Sequence, residues 1–350
     1  MVTLGVDAHK RTHTIVAADD NGSVQAERTV AATPAGHLEG LRWAQQWTER
    51  RWAIEDCRHL SRRLATDLLV AGEAVVRVPP KLTAGARRSA RTRGKSDPID
   101  ALAVARAALR EPDLPVAQLD GATREIRLLV DHRDDLVAER TRLENRLRWH
   151  LHELQPGDEP AARSLNRRAT LTALDAALAC HEGVVARIAR ELLVRCRELT
   201  EAVNALEREI RGRVAQLAPT LLALLGCGAL SAAKIVGEVG DVSRFRSRNA
   251  FAMHNGTAPI PVWSGNRERF RLNRGGNRQI NCALHRIAIT QLQRPGLAQD
   301  YVGRRRAAGD TKTESIRALR RRISDEVYRR LRADQQQPST VHTRHAPVAA

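Results

Sequence analysis

Two carboxylates in the first part of this chain stand where carboxylates are costly, and two more follow at a helix start. Asp7 follows the apolar positions Val2, Leu4 and Val6 at the end of the first β-like run, and Glu55 closes a second apolar run, Trp52 to Ile54. A charged side chain in such a place must be solvated, paired or bound to a cation. Asp97 and Asp100 lie one helical turn apart in "KSDPIDAL", where a basic run gives way to an apolar one. That pair has a plain reading as helix capping: Asp97 as N-cap, Pro98 as the first helical residue, Asp100 as an acid at the positive end of the dipole. It has a chemical reading if all four acids converge. Four negative charges around one point repel and shift one another's pKa values, so the cluster makes sense only around cations. Hard oxygen donors with open positions suit Mg²⁺ or Mn²⁺, and two such ions about 4 Å apart serve the attacking and leaving oxygens of a phosphodiester.

The elements that must position these acids are legible in the apolar pattern. Residues 2–31 fall into three short β-like runs, with Asp20-Asn21-Gly22 as a tight-turn signal between the last two. Helical spacing over Ala35–Glu49, a strand "RWAIEDC", a helix over Leu60–Ala71 and a strand "AVVRVPP" follow, giving a βββαβαβ order and a mixed sheet. Strand ends along one edge of such a sheet are where α/β folds build sites. Residues 81–96 then read as a structureless basic loop. It holds Lys81, Arg87, Arg88, Arg91, Arg93 and Lys95 without an acid, suited to holding a polyanion against the acidic centre. A helix from Pro98 to about Arg110 closes the domain.

Beyond it, Thr123–Leu154 and a stretch from about Ala169 to Leu217 are almost purely helix-forming, split by the breaker "QPGDEP". Val185, Leu192, Leu199 and Leu206 recur every seven residues, with Ala189, Cys196, Val203, Ile210 and Leu217 four positions on. That spacing reads as a coiled-coil seam or as the apolar face of a bundle helix. In "LLALLGCGALSAAKIVGEVG" two short helices flank Gly-Cys-Gly; the turn is either a phosphate-facing helix start or a closely packed hairpin.

Charge narrows the partner. The chain carries 58 basic against 40 acidic side chains, a net +18, and the basic set is almost wholly arginine. Such a surplus points to nucleic acid, whose phosphates and guanines suit the planar guanidinium fork. Between Ser264 and Arg332 there are 17 Arg and 1 Lys against 6 acids. The five cysteines are scattered without a C-x-x-C pair, against a zinc ribbon or disulfide framework. No run reaches the roughly 18 apolar residues of a membrane span, and the start lacks a signal peptide, so the expectation is a soluble cytoplasmic protein with no membrane partner. The tail, with His342 and His345, lacks apolar periodicity and reads as disordered.

Together "GVDAHKRTHTIVA", "AIEDC" and "KSDPIDALAVAR" resemble the DEDD transposases of bacterial insertion sequences, whose first domain is RNase H-like and close to the Holliday-junction resolvase RuvC. The resemblance implies Asp7, Glu55, Asp97 and Asp100 as the metal-binding acids. A second part, "FAMHNGTAPIPVWSGNRERFRLNRGGNRQINCALHRIAI", resembles the family's C-terminal transposase domain, and "LLGCGALSAAKIVGEVGDVSRF" its helix-hairpin-helix lead-in. There a serine in a Ser-Gly pair is the nucleophile, which maps to Ser264; by itself Ser264 is an unremarked turn serine. Arg267, Arg269, Arg271, Arg274 and Arg278 nearby are suited to neutralising a scissile phosphate. The arginine-rich region after Pro295 matches no motif of the family.

The resulting expectation is an α/β RNase H-like (RuvC-like) domain at 1–115, a helical coiled-coil segment at 122–217, a mainly α transposase domain at 218–332 and a disordered tail at 333–350. The resemblance implies a recombinase that moves its own insertion sequence, paired with a guide RNA and DNA, as a dimer or a tetramer. Two other classes stay open: a metal-dependent nuclease or junction resolvase in which water attacks, and a non-catalytic nucleic-acid-binding protein.

Overall fold

The computed structural model describes residues 1–336 apart from Arg58, residues 90–93, Pro115, Asp120, Ala162 and Asn266, and the side chains of Ser264, Arg267, Glu268 and Arg269 also fall outside that description. The chain divides into two compact units, Met1–Asp120 and Gly121–Ala350.

The first unit follows the expected element order. Strands β1 (Val2–Ala8), β2 (Thr12–Ala18) and β3 (Val24–Ala31) lead to helix α1 (Pro34–Ala44), β4 (Arg50–Glu55), α2 (Arg62–Val70), β5 (Val75–Val78), α3 (Pro80–Arg88) and α4 (Asp97–Arg110). The sheet order is β3-β2-β1-β4-β5, antiparallel across the first three strands and parallel from β1 to β4 to β5. Because successive side chains alternate between faces, the sheet is covered on both sides. Leu4, Val6, Trp52 and Ile54 pack with Leu64 and Leu68 of α2 on one face. On the other, Ala53 and Val78 pack with Ala103, Val104 and Ala107 of α4 and Ala86 of α3.

Gly5 makes the second face possible. A β-carbon there would lie 2.2 Å from the Ala101 carbonyl oxygen and 2.6 Å from the Ala105 nitrogen. The missing side chain, met by alanines on α4, lets the helix lie directly on β1. On the opposite face a buried polar relay links three elements: His13 Nε2 of β2 lies 3.2 Å from His37 Nε2 of α1, and His37 Nδ1 lies 2.5 Å from Asp67 Oδ2 of α2.

Residues 81–88, expected as loop, form most of helix α3. Pro79 and Pro80 start it, and the buried Thr83 and Ala86 anchor it beside α4. The basic composition and Gly85 hid a short amphipathic turn pattern.

The second unit begins with α5 (Ala122–Leu154), α6 (Arg168–Ala179) and α7 (Gly183–Leu217). The long stretch read as continuously helix-forming from Ala169 is two helices, broken where Gly183 takes φ +92°. Most heptad positions of α7 are buried within the chain, while Val185, Leu206 and Leu217 are half-buried. Ala189, Leu192 and Cys196 pack with Leu147 and Leu151 of α5 and Leu171 and Leu178 of α6, while Ile210 and Val214 pack with Ile126 and Val130 of α5. The two long helices are therefore antiparallel along their lengths, about 50 Å at ~1.5 Å per residue, and are laced by Arg133–Glu207 and Arg195–Glu139 ion pairs.

Helices α8 (Pro219–Leu222), α9 (Ala229–Val239) and α10 (Arg248–His254) come next, then the hairpin β6 (Ile260–Ser264) and β7 (Arg267–Arg271), and α11 (Arg278–Leu292), α12 (Leu297–Ala307) and α13 (Lys312–Gln336). The roots of α5 and α7 share one core with Ile235 of α9, Ile287 of α11 and Val327 of α13. The Gly-Cys-Gly turn is a packing device: Gly226 takes φ +83°, a β-carbon on it would approach the Ile287 carbonyl to 3.0 Å, and Cys227 is buried. Residues 333–336, read from sequence as tail, continue α13.

Candidate functional site

Sheet register brings the first two acids together. Val6 pairs with Ile54 across parallel strands, so the next residues, Asp7 and Glu55, stand at the same end of the two strands. Both lie two residues past small side chains, Gly5 and Ala53, and so face the side that α4 covers. The start of α4 supplies the other two acids to that end.

Both acids lie in the first turn of α4, but neither makes a side-chain cap. Ser96 holds the N-cap position without a side-chain cap hydrogen bond, Asp97 is the first helical residue and Pro98 follows it. The two carboxylates instead turn to other side chains. Asp97 Oδ1 lies 3.5 Å from His9 Nε2, and Asp100 Oδ1 accepts a 2.8 Å hydrogen bond from Arg87 Nη1.

His9 is a functional candidate that the sequence reading missed. Its Nε2 lies 3.0 Å from Asp7 Oδ2, and one donor atom each from Asp7, His9 and Asp97 falls within 4.8 Å of the others. It stands in the tight turn after β1, where His9 N–H donates to the Thr12 carbonyl. The Asp-x-His spacing at a strand end was the available signal.

The electrostatics are those of crowded acids. Burial pushes the Asp7 carboxyl above its ordinary range; His9 pulls it back, and Asp100 and Asp97 add to the rise. Glu55 Oε2 accepts a 3.3 Å hydrogen bond from Cys57 Sγ, whose pKa burial and then Glu55 push up to about 12, with Asp7 contributing. The Arg87 guanidinium is held charged first by its bond to Asp100 and further by Glu55 and Asp7. Four acids therefore act on one neighbourhood. Asp7 and Asp97 share His9, while Asp100 is tied to Arg87 and Glu55 to Cys57.

This donor set fits a divalent cation. Two carboxylate oxygens with a nitrogen beside them, and a buried acid destabilised by like charges, are what a cation relieves.

The basic residues divide. Arg87 is part of the acidic site, while Arg88 and Lys95 are exposed; Arg91 and Arg93 lie outside the described residues. In the second unit Ser264 ends β6, with Arg267 as its cross-strand partner. Its backbone ends the strand at the head of the hairpin turn, directly before Gly265. Beside it Trp263 and Phe270 are 68% and 63% exposed. Arg271, Arg274 and Arg278 are exposed too.

No helix among the described residues is long and apolar enough to cross a membrane.

Comparison with known proteins returns two family matches. Residues 4–156 match a family of DEDD transposases of the IS110 type, described as "Transposase", and residues 218–303 match the "Transposase IS116/IS110/IS902 family". The uncharacterized 44.8 kDa protein of insertion element IS116 from Streptomyces clavuligerus is 28% identical over 95% of this chain and 94% of its own length. The uncharacterized 42 kDa protein of IS900 from Mycobacterium paratuberculosis is 27% identical over 95% and 96%. Among solved structures, T. thermophilus RuvC in complex with a Holliday junction substrate aligns with 33% of this chain and 99% of its own, at 14% identity and a TM-score of 0.27.

Proposed function

The chain belongs to the DEDD transposases of the IS110 type, enzymes that cleave DNA and transfer strands, and from that premise we propose that it excises and inserts its own insertion sequence under the guidance of an element-encoded RNA. The mixed sheet of the first unit fits an RNase H-like domain. The observation that carries the reading is the meeting of Asp7, His9 and Asp97 at the end of β1, with Asp100 and Glu55 acting on the same neighbourhood.

In this reading Asp7, Glu55, Asp97 and Asp100 would hold Mg²⁺ or Mn²⁺, which would supply Lewis acidity to phosphate oxygens. The chain's own groups do the rest. His9 aligns Asp7 with Asp97, and Arg87 fixes Asp100 and offers positive charge at the rim of the acids. The Ser264 oxygen bonds to phosphorus and gives its proton to water, while the bond to the departing strand end breaks and that oxygen takes up a proton from water, giving a phosphoserine link. Arg267, Arg271, Arg274 and Arg278 offset the charge that develops on the phosphate.

An RNA-guided enzyme needs basic surfaces that follow backbone and shape, which suits diffuse arginines. A dimer or tetramer in this reading would use faces other than the parts of the α7 seam that α5 and α6 cover.

The test is covalent. Labelled DNA spanning an element end, incubated with active protein and its RNA, is expected to remain attached to the chain after denaturation and to be released in Ser264→Ala. Cleaved DNA with no attachment in the wild type would replace this reading with water as the nucleophile, as in a metal-dependent nuclease or junction resolvase.

A further inference from the structure

The second unit contains a cavity of about 460 Å³ formed by the 272–276 loop, the first half of α11 and the N-terminal turns of α13. Arg274, Arg278, Arg317 and Arg320 line it, and no acidic side chain does among the described residues. The guanidinium groups on the wall repel one another, a repulsion that Glu314 near Arg317 offsets only in part, and an anion between them removes that penalty. Arg320 shows the strain of the arrangement. Burial and then Arg317 lower its pKa, and its buried Nε has no hydrogen-bond partner. His285, also on the wall, is held towards its neutral form by burial and by Arg320. A buried N–H without an acceptor is costly, so this wall is poised for one.

Backbone, more than side chains, shapes the cavity. Gly256 takes φ +75°, and a β-carbon on Gly276 would fall 2.2 Å from the Gly256 nitrogen, so the Asn-Gly and Gly-Gly turns pack main chain on main chain. Asn277 N–H donates to the His254 carbonyl at 2.6 Å. Asn281 Nδ2 donates to the Asn255 carbonyl at 2.9 Å, which leaves Asn281 Oδ1 to accept from Arg320 Nη1 at 2.8 Å. The buried Asn255 is itself fixed by a 2.8 Å bond to Ser324 Oγ. Arg320 is thus aimed before any ligand arrives.

The lining has two characters. Leu272 and Ile316 give apolar surface beside the arginines. The volume lies in the range of roughly 300–1,000 Å³ typical of pockets for small organic ligands. A lone phosphate leaves the apolar wall uncovered, and a duplex does not enter. A nucleotide turned out of its strand carries both parts, a phosphate for the guanidinium forks and a flat base for apolar and guanidinium faces.

We propose that this cavity receives one nucleotide extruded from a single-stranded stretch of nucleic acid, its phosphate between Arg317 and Arg320 and its base against Leu272 and Ile316. The proposal rests on the reading of the chain as a nucleic-acid enzyme. It gives part of the arginine-rich region after Pro295 a task that no sequence motif assigns.

The experiment uses full-length Ser264→Ala protein, in which the proposed cleavage is silent, and a short single strand with one central 2-aminopurine. Binding is expected to change the probe's fluorescence as its base leaves the stack, and the fully paired duplex is expected to give no such change. Thr313→Trp, which fills the cavity and keeps every arginine, is expected to abolish the response and leave the salt dependence of binding intact. Replacing Arg317 and Arg320 together by alanine is expected to lower the log–log salt slope by about 0.7 per lost phosphate contact. A response that survives both variants overturns the proposal while leaving nucleic-acid binding in place. Failure of the Ser264→Ala protein to bind the strand at all overturns the nucleic-acid reading itself, and this proposal with it.

Discussion

Gly5 and Ala101 meet backbone to backbone, with only 2.2 Å between the site of a β-carbon on Gly5 and the Ala101 carbonyl oxygen. This contact sets α4 flat on β1 and so carries Asp97 and Asp100 to the strand end that bears Asp7. Gly5→Ala must push the helix away. It is expected to destabilise the protein by about 1–3 kcal/mol, the range for an overpacked core, and to abolish strand transfer even at temperatures where the protein stays folded. Urea unfolding together with a strand-transfer assay checks both parts. An unchanged unfolding midpoint would mean that α4 does not rest on Gly5.

Asp7→Asn separates fold from chemistry. Burial and the neighbouring acids already disfavour ionised Asp7, so neutralising it removes repulsion in the metal-free protein. Stability near neutral pH is expected to hold or to rise by about 1 kcal/mol, while strand transfer is lost. A thermal shift on adding Mn²⁺, present in the wild type and absent in Asp7→Asn, would identify the acid as a ligand.

Arg87 and Arg88 are sequence neighbours with different tasks. Arg87 is bonded to Asp100, whereas Arg88 and Lys95 face solvent. Alanine at Arg88 or Lys95 is expected to weaken nucleic-acid binding without regard to sequence and to lower the log–log salt slope by about 0.7 to 0.9 each. Arg87→Ala is expected to impair cleavage more than binding. Equal salt slopes for wild type and the Arg88→Ala, Lys95→Ala double variant would show that these side chains do not touch the backbone.

The histidine relay under the sheet sets an acid limit to stability. Burial, then the nearness of His37, pushes His13 down to about 4 from its ordinary 6.5. Between these values the unfolded chain binds the proton and the folded chain does not, so stability falls as pH drops from about 6.5 to about 4. The loss is at most about 3 kcal/mol. Urea midpoints measured across that window should fall for wild type and fall less for His13→Asn. Identical slopes would exclude His13 as the cause.

Much of the first unit was legible because its signals are local. Alternating apolar residues gave β1, β2 and β4, Asp-Asn-Gly marked the turn, and the acids stood out at the ends of apolar runs. What escaped depends on partners distant in sequence. Gly5 looks like any strand glycine until α4 is laid against it. His9 shows only a weak Asp-x-His spacing until Asp97 arrives from nearly ninety residues away. The heptads of α7 correctly marked an apolar stripe, but a stripe does not name its partner, and here α5 and α6 within the same chain fill it. Arg317 and Arg320 follow no motif, since a cavity wall is made by how α13 crosses α11.

The paired helices α5 and α7 leave one core and return to it, with Val130 and Ile210 both at the root and Leu147 and Leu192 near the far end. Such an excursion is adjustable in length. Whole heptads added to or taken from both helices in step would keep every root contact and alter only the reach of the tip, so related chains can diverge in size there at little expense to folding. The arm behaves as a spacer of selectable span, and its tip is the natural place to insert a tag or a rigid reporter.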